Sequence, residues 1–113
     1  GTGQAGGTSG ATASGAGGYA NAPQDQVIDG TSQLGGRTVT GVKVTLTYDA
    51  YSVVDQFQII YGGATLADTG VISGGGTLVG TAAGSSAQVT IRVLTPDTGT
   101  SWNWSATVEY SVQ

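Results

Sequence analysis

From Trp102 to Val112 the chain alternates without interruption. Trp102, Trp104, Ala106, Val108, Tyr110 and Val112 share one phase, and Asn103, Ser105, Thr107, Glu109 and Ser111 share the other. A period of two puts the first set on one face of an extended strand and the second set on the opposite face. A helix would scatter the same side chains around its circumference. The segment therefore predicts a sheet with one apolar face, and that face needs a second layer to cover it.

The same period recurs upstream. Val42, Val44, Leu46 and Tyr48 alternate with Lys43, Thr45 and Thr47. Phe57, Ile59 and Tyr61 share a face within Gln56–Tyr61, as do Val89, Ile91 and Val93 within Gln88–Val93. Val39 falls on the opposite phase from Val42, so Gly41 between them marks a bulge or a strand switch. Gly62-Gly63 reads as a tight hairpin turn, with a short return strand at Ala64–Ala67 closed by Asp68-Thr69-Gly70. Ser73–Gly76 reads as a loop, Gly80–Ser86 as a small-residue loop, and Thr95–Gly99 as a turn with Pro and Gly in favoured places. No stretch has helical periodicity. Short strands with frequent turn signals predict an all-β fold, an antiparallel β-sandwich of jelly-roll or immunoglobulin-like kind. Its core would hold both Trp residues with Leu46, Phe57, Ile59 and Ile91, each worth roughly 1.5–3 kcal/mol when fully buried.

Residues 1–18 read GTGQAGGTSGATASGAGG, eight of them Gly and none of them large or charged. The composition predicts a Gly-rich extended N-terminal arm over 1–18 and a β-sandwich domain over 19–113. Ordering such an arm costs roughly 1–2 kcal/mol per residue, and the arm has no bulky group with which to grip a core. It is therefore expected to be ordered by neighbouring subunits, with a reach of up to about 60 Å when extended. Tyr19, Val27, Ile28 and Leu34 are expected to anchor the following segment on the body, with a short strand near Gln26–Asp29.

The chemistry available is narrow. There is no His and no Cys, so triads, thiolate nucleophiles and thiolate zinc sites are excluded. Lys and Arg total three against seven Asp and Glu, for a net charge of −4. A nucleic-acid backbone would need more cations than that. No apolar run approaches the roughly 20 residues of a membrane-spanning helix. No catalytic set is expected. Asp residues in turns commonly cap backbone amides. A second use is calcium, which takes oxygen ligands from loops. Asp49, Asp55 and Asp68 are the candidate ligands, because all three lie at strand ends. Asp49 and Asp55 would also be the pair to test for carbohydrate hydrolysis, which needs two carboxyls facing one cleft. Most aromatics sit on strand apolar phases and are expected in the core. Tyr51, in a predicted loop, is the one expected to be exposed. Asn103-Trp104-Ser105 is a formal glycosylation sequon on a polar strand face.

A longer pattern carries a resemblance. Tyr48-Asp49, Tyr51, Asp55, Phe57, Tyr61, Gly63, Asp68-Thr69-Gly70, Ser73-Gly74 with Gly76, and then Gly99-Thr100-Ser101-Trp102 resemble a β-sandwich module that recurs in bacteriophage virion proteins and secreted bacterial surface proteins. Val54 stands where that module has Pro. The resemblance implies a non-enzymatic structural protein of a virion or extracellular assembly, such as a phage capsid decoration or head-surface protein. With the Gly-rich arm running over neighbouring subunits and the sheet edges needing cover, its partners are expected to be protein subunits, of its own kind or of a major capsid or filament protein, in a homo-oligomer. Two other readings stay open. One is a pilus-like filament subunit joined by strand complementation, with Gln26–Asp29 as the donor. The other is a calcium-dependent carbohydrate-binding module, which would need an exposed aromatic beside clustered Asp residues.

Overall fold

A computed structural model describes residues 7–113 of the chain. It contains eight strands, β1 (Gly7–Gly18), β2 (Gln24–Asp29), β3 (Val39–Asp49), β4 (Gln56–Tyr61), β5 (Ala64–Asp68), β6 (Gly75–Ala83), β7 (Gln88–Leu94) and β8 (Ser101–Val112), with one 3-10 turn at Thr31–Gln33. The strands form two four-stranded sheets, ordered β1-β8-β3-β6 (sheet A) and β2-β7-β4-β5 (sheet B). Every pairing is antiparallel. Strand 1 pairs with 8, 2 with 7, 3 with 6 and 4 with 5, like the rungs of one long hairpin. The pairings β3–β8 and β4–β7 close the two sheets.

The period-two segments behave as their sequences dictate. In β8 each alternate residue from Trp102 to Val112 is buried and each intervening one exposed. In β4 and β7 the apolar phase is likewise buried. Val44, Leu46, Phe57, Ile59, Val89, Ile91, Val108 and Tyr110 are wholly inaccessible and form one continuous core between the sheets. Tyr48 stacks on Phe57 with ring centroids 4.9 Å apart, and Trp102 meets the same ring edge-on at 6.5 Å. The register of β3 on β8 shifts between Val39 and Gly41. This is the bulge that the change of phase and the Gly predict.

Three expectations need correction. First, residues 7–18 of the expected arm are a strand of the sandwich, paired residue for residue with β8 from Gly7↔Val112 to Gly18↔Ser101. The boundary at Tyr19 therefore does not separate arm from body within that stretch, while residues 1–6 of the arm lie outside the described residues. The physical reason is supplied by β8. A Cβ at Gly15 would stand 2.8 Å from the Trp104 indole, and one at Gly17 would stand 2.7 Å from that of Trp102. Only a strand without side chains at these places can lie over the two indoles. The Trp102 ring N–H also donates to the Gly18 carbonyl at 3.0 Å. Second, Gly80–Ala83 continues β6 and is not a loop, since its backbone is held by β3 opposite Val44 to Gly41. Third, of the expected anchors only Ile28 and Leu34 are buried, whereas Tyr19 and Val27 are exposed. Val27 lies on the outer phase of β2, whose inner phase holds Ile28.

Candidate functional site

The chain reversals sort the loops onto the two ends of the sandwich. Segments 19–23, 50–55, 69–74 and 95–100 lie at one end, and 30–38, 62–63 and 84–87 at the other. All three candidate calcium ligands, Asp49, Asp55 and Asp68, fall at the first end.

Asp49 closes β3. Its Oδ1 accepts the Tyr51 backbone N–H at 2.8 Å, an Asx turn. Tyr51 has φ +57° and is the one residue other than Gly in the left-handed region among the described residues. Gly74 donates its N–H to the Tyr51 carbonyl at 2.7 Å, and Ala50 donates to the Gly74 carbonyl at 2.9 Å. The loop is thus tied to its neighbour on both sides. The Tyr51 ring is exposed, as its loop position predicts, and its hydroxyl accepts a hydrogen bond from Asn103 Nδ2.

Asp55 is different. Its side chain is fully buried. Thr100 Oγ1 lies 2.8 Å from each carboxylate oxygen, and the Asp55 backbone exchanges two 2.9 Å hydrogen bonds with Ile72. Asp55 therefore joins three loops at one point. Burial pushes its carboxyl above the usual Asp range, the Thr100 hydroxyl opposes this, and the nearby charge of Asp97 adds to it. At Asp68, burial also acts upward, but the amides of Gln56 and Gln58 and the Gly70 backbone N–H more than offset it, so this carboxyl is held low. The Gly70 bond is 2.7 Å and the Gln contacts are 2.8–3.0 Å. Thr69 completes the tie by accepting the Phe57 N–H at 3.0 Å.

The three carboxylates do not converge. Among the described residues no three acidic side chains form a group that could hold a metal ion. Asp49, Asp55 and Asp68, the expected calcium ligands, are thus not brought together in one group, and each carboxylate is engaged by its own protein donors. Asp55 is fully buried and does not line the furrow beside Asp49. That furrow, about 750 Å³ on the outer face of sheet A, is lined by Asp49, Asn103, Ser14, Ser105, Thr47 and Thr77 among others. Capping by Asp was readable in advance and recurs at Asp29, whose Oδ1 accepts the Thr31 N–H at 2.9 Å. The role of Thr100 was not readable, because it lies 45 residues from its partner. Gln56 and Gln58, which precede the Asp-Thr-Gly they hold by about one hairpin, carry no sequence signal of their role.

Asp49, Tyr51, Asp55, Asp68, Thr69 and Thr100 thus tie loops together at one end of the sandwich. No family model matches the chain, and no curated protein is significantly similar to it.

Proposed function

We propose that this chain is a non-enzymatic structural module that acts by being built into a larger assembly. The observation that carries the reading is β1. Its twelve residues contain no charge and no Pro, and it forms an edge of sheet A. An edge strand offers a row of backbone N–H and C=O groups to another chain. The nested pairing of strands supports the jelly-roll form of the sandwich over the immunoglobulin-like one, since among the described residues β4–β5 is the sole pairing of consecutive strands. The setting we favour is a virion or an extracellular surface, with a phage capsid decoration or head-surface protein as the leading case. The strand-complemented filament is a weaker form of this reading, because its expected donor Gln26–Asp29 is already paired with β7. The carbohydrate reading has the exposed Tyr51 in its favour but lacks the clustered Asp residues it requires.

The test is density-gradient sedimentation of extracts and culture medium from the natural source, with the chain followed by immunoblotting. The expected result is co-sedimentation with a particle far larger than 11.1 kDa. A chain found only as a free small protein would overturn the proposal.

A further inference from the structure

The two sheets treat their edges differently. Sheet B ends in β2 and β5. The first carries Asp25 and Asp29, with Asp25 held by Arg92 of β7 at 2.8 Å. The second is five residues long, has an irregular register on β4 and ends in Asp68. Charge, shortness and bulges are the usual devices that stop an edge from pairing. Sheet A ends in β1 and β6, GTSGATASGAGG and GGTLVGTAA, which contain neither charge nor Pro. They are twelve and nine residues long. Among the described residues, the backbone of β6 makes no hydrogen bond beyond its ladder with β3, and that of β1 has side-chain donors only at the Ser14 and Gly18 carbonyls.

Strand direction adds a second argument. Across sheet A the directions alternate, so β1 and β3 run one way while β8 and β6 run the other. A second copy placed beside the first in the same orientation brings its β1 against β6 in the antiparallel sense. The ladder then continues without turning the copy over. We propose that sheet A continues from chain to chain, with β6 of one copy pairing with β1 of the next. This rests on the assembly reading above and names its partner as a second copy of this chain. The interface is heterologous, so it generates a ring or an open filament rather than a closed dimer.

The experiment uses sedimentation velocity on the full chain and two edge-blocked variants. Thr12→Lys with Ser14→Lys places charge on the outer phase of β1, and Thr77→Lys with Val79→Lys does the same on β6. All four positions are exposed, and circular dichroism checks that both variants keep the native melting profile. The unaltered chain is expected to grow through a series of multiples of 11.1 kDa as its concentration rises. Each variant alone stays monomeric, because every contact needs one β1 and one β6. An equimolar mixture forms a dimer and stops there, since it offers one intact edge of each kind. Persistent association of the β6-blocked variant by itself would mean β1–β1 pairing and would overturn the proposal. So would association of both blocked variants at the level of the unaltered chain. A chain that stays monomeric at about 1 mM would also overturn it, while the assembly reading would stand or fall on the gradient experiment.

Discussion

β1 and β8 lie side by side over twelve paired positions and are opposites in composition. One is built from Gly, Ala, Ser and Thr, and the other carries both Trp residues and a fully buried Tyr. The contrast is a division of labour. Gly loses more backbone freedom than any other residue on ordering, so β1 has little propensity of its own. The large side chains of β8 supply the surface on which it orders, and the missing side chains of β1 supply the room those rings need. The same fit recurs across the molecule. A Cβ at Gly30 would meet the Tyr110 ring at 2.3 Å, and one at Gly84 would meet the Tyr61 ring at 2.7 Å. A Gly-rich segment can therefore be an ordered element when an aromatic strand lies opposite.

The harshest way to break the comparison is to remove an indole. Trp104→Ala should cost about 3–5 kcal/mol in urea unfolding, the usual range for a buried Trp truncated to Ala. It should also expose the amides of β1 to exchange before those of β4. A gentler cut is Gly15→Val, which forces a side chain into the Trp104 ring and should cost about 1–3 kcal/mol. The two changes together should cost less than their sum, because each relieves the clash or the void left by the other. Strict additivity in that cycle would show that the fit does not hold the strand.

The loop end of the sandwich offers a milder comparison, between a buried carboxylate and its exposed counterparts. Thr100→Val leaves Asp55 without its hydroxyl donor and should cost about 1–3 kcal/mol. The pH dependence follows from the directions of the shifts. The raised carboxyl of Asp55 makes the folded chain bind its proton earlier. Its contribution is therefore full below the ordinary value of 3.8 and is lost as pH rises through the folded value. The lowered carboxyls of Asp25, Asp29 and Asp68 do the reverse, stabilising above 3.8 and failing as pH falls through their folded values. The Tm should climb slightly as pH falls through the folded value of Asp55, then fall in stronger acid as Asp25, Asp29 and Asp68 take up protons. Asp55→Asn should abolish the climb and keep the fall. The smallest effect is expected from Arg92→Ala, which removes an exposed ion pair with Asp25. Its Tm shift should be barely measurable and should vanish in high salt.

These contrasts also explain what could be read from the residues alone. The strands from Val42 onward were legible because large apolar and polar residues alternate in them. The bulge at Gly41 was legible because the phase slips there. In β1 and in Gly80–Ala83 the side chains are too uniform to show a phase, and the strand is specified by what it faces. The match of Gly15-x-Gly17 to Trp102-x-Trp104 has the right period but lies more than eighty residues away. Among the site residues, capping by Asp49 and Asp68 followed from their turn positions. The burial of Asp55 did not, since it depends on Thr100 and Ile72 in two other loops.

Amide hydrogen exchange along β1, read by NMR in dilute solution and again under associating conditions, tests the account most directly. In the dilute chain alternate amides of β1 should be protected through the ladder with β8, while the intervening amides, which face away from the sheet, exchange freely. On association the free amides should become protected as well, together with the outer amides of β6. Uniformly fast exchange across residues 7–18 in both conditions would contradict the placement of β1, and unchanged protection of its outer amides on association would contradict its role.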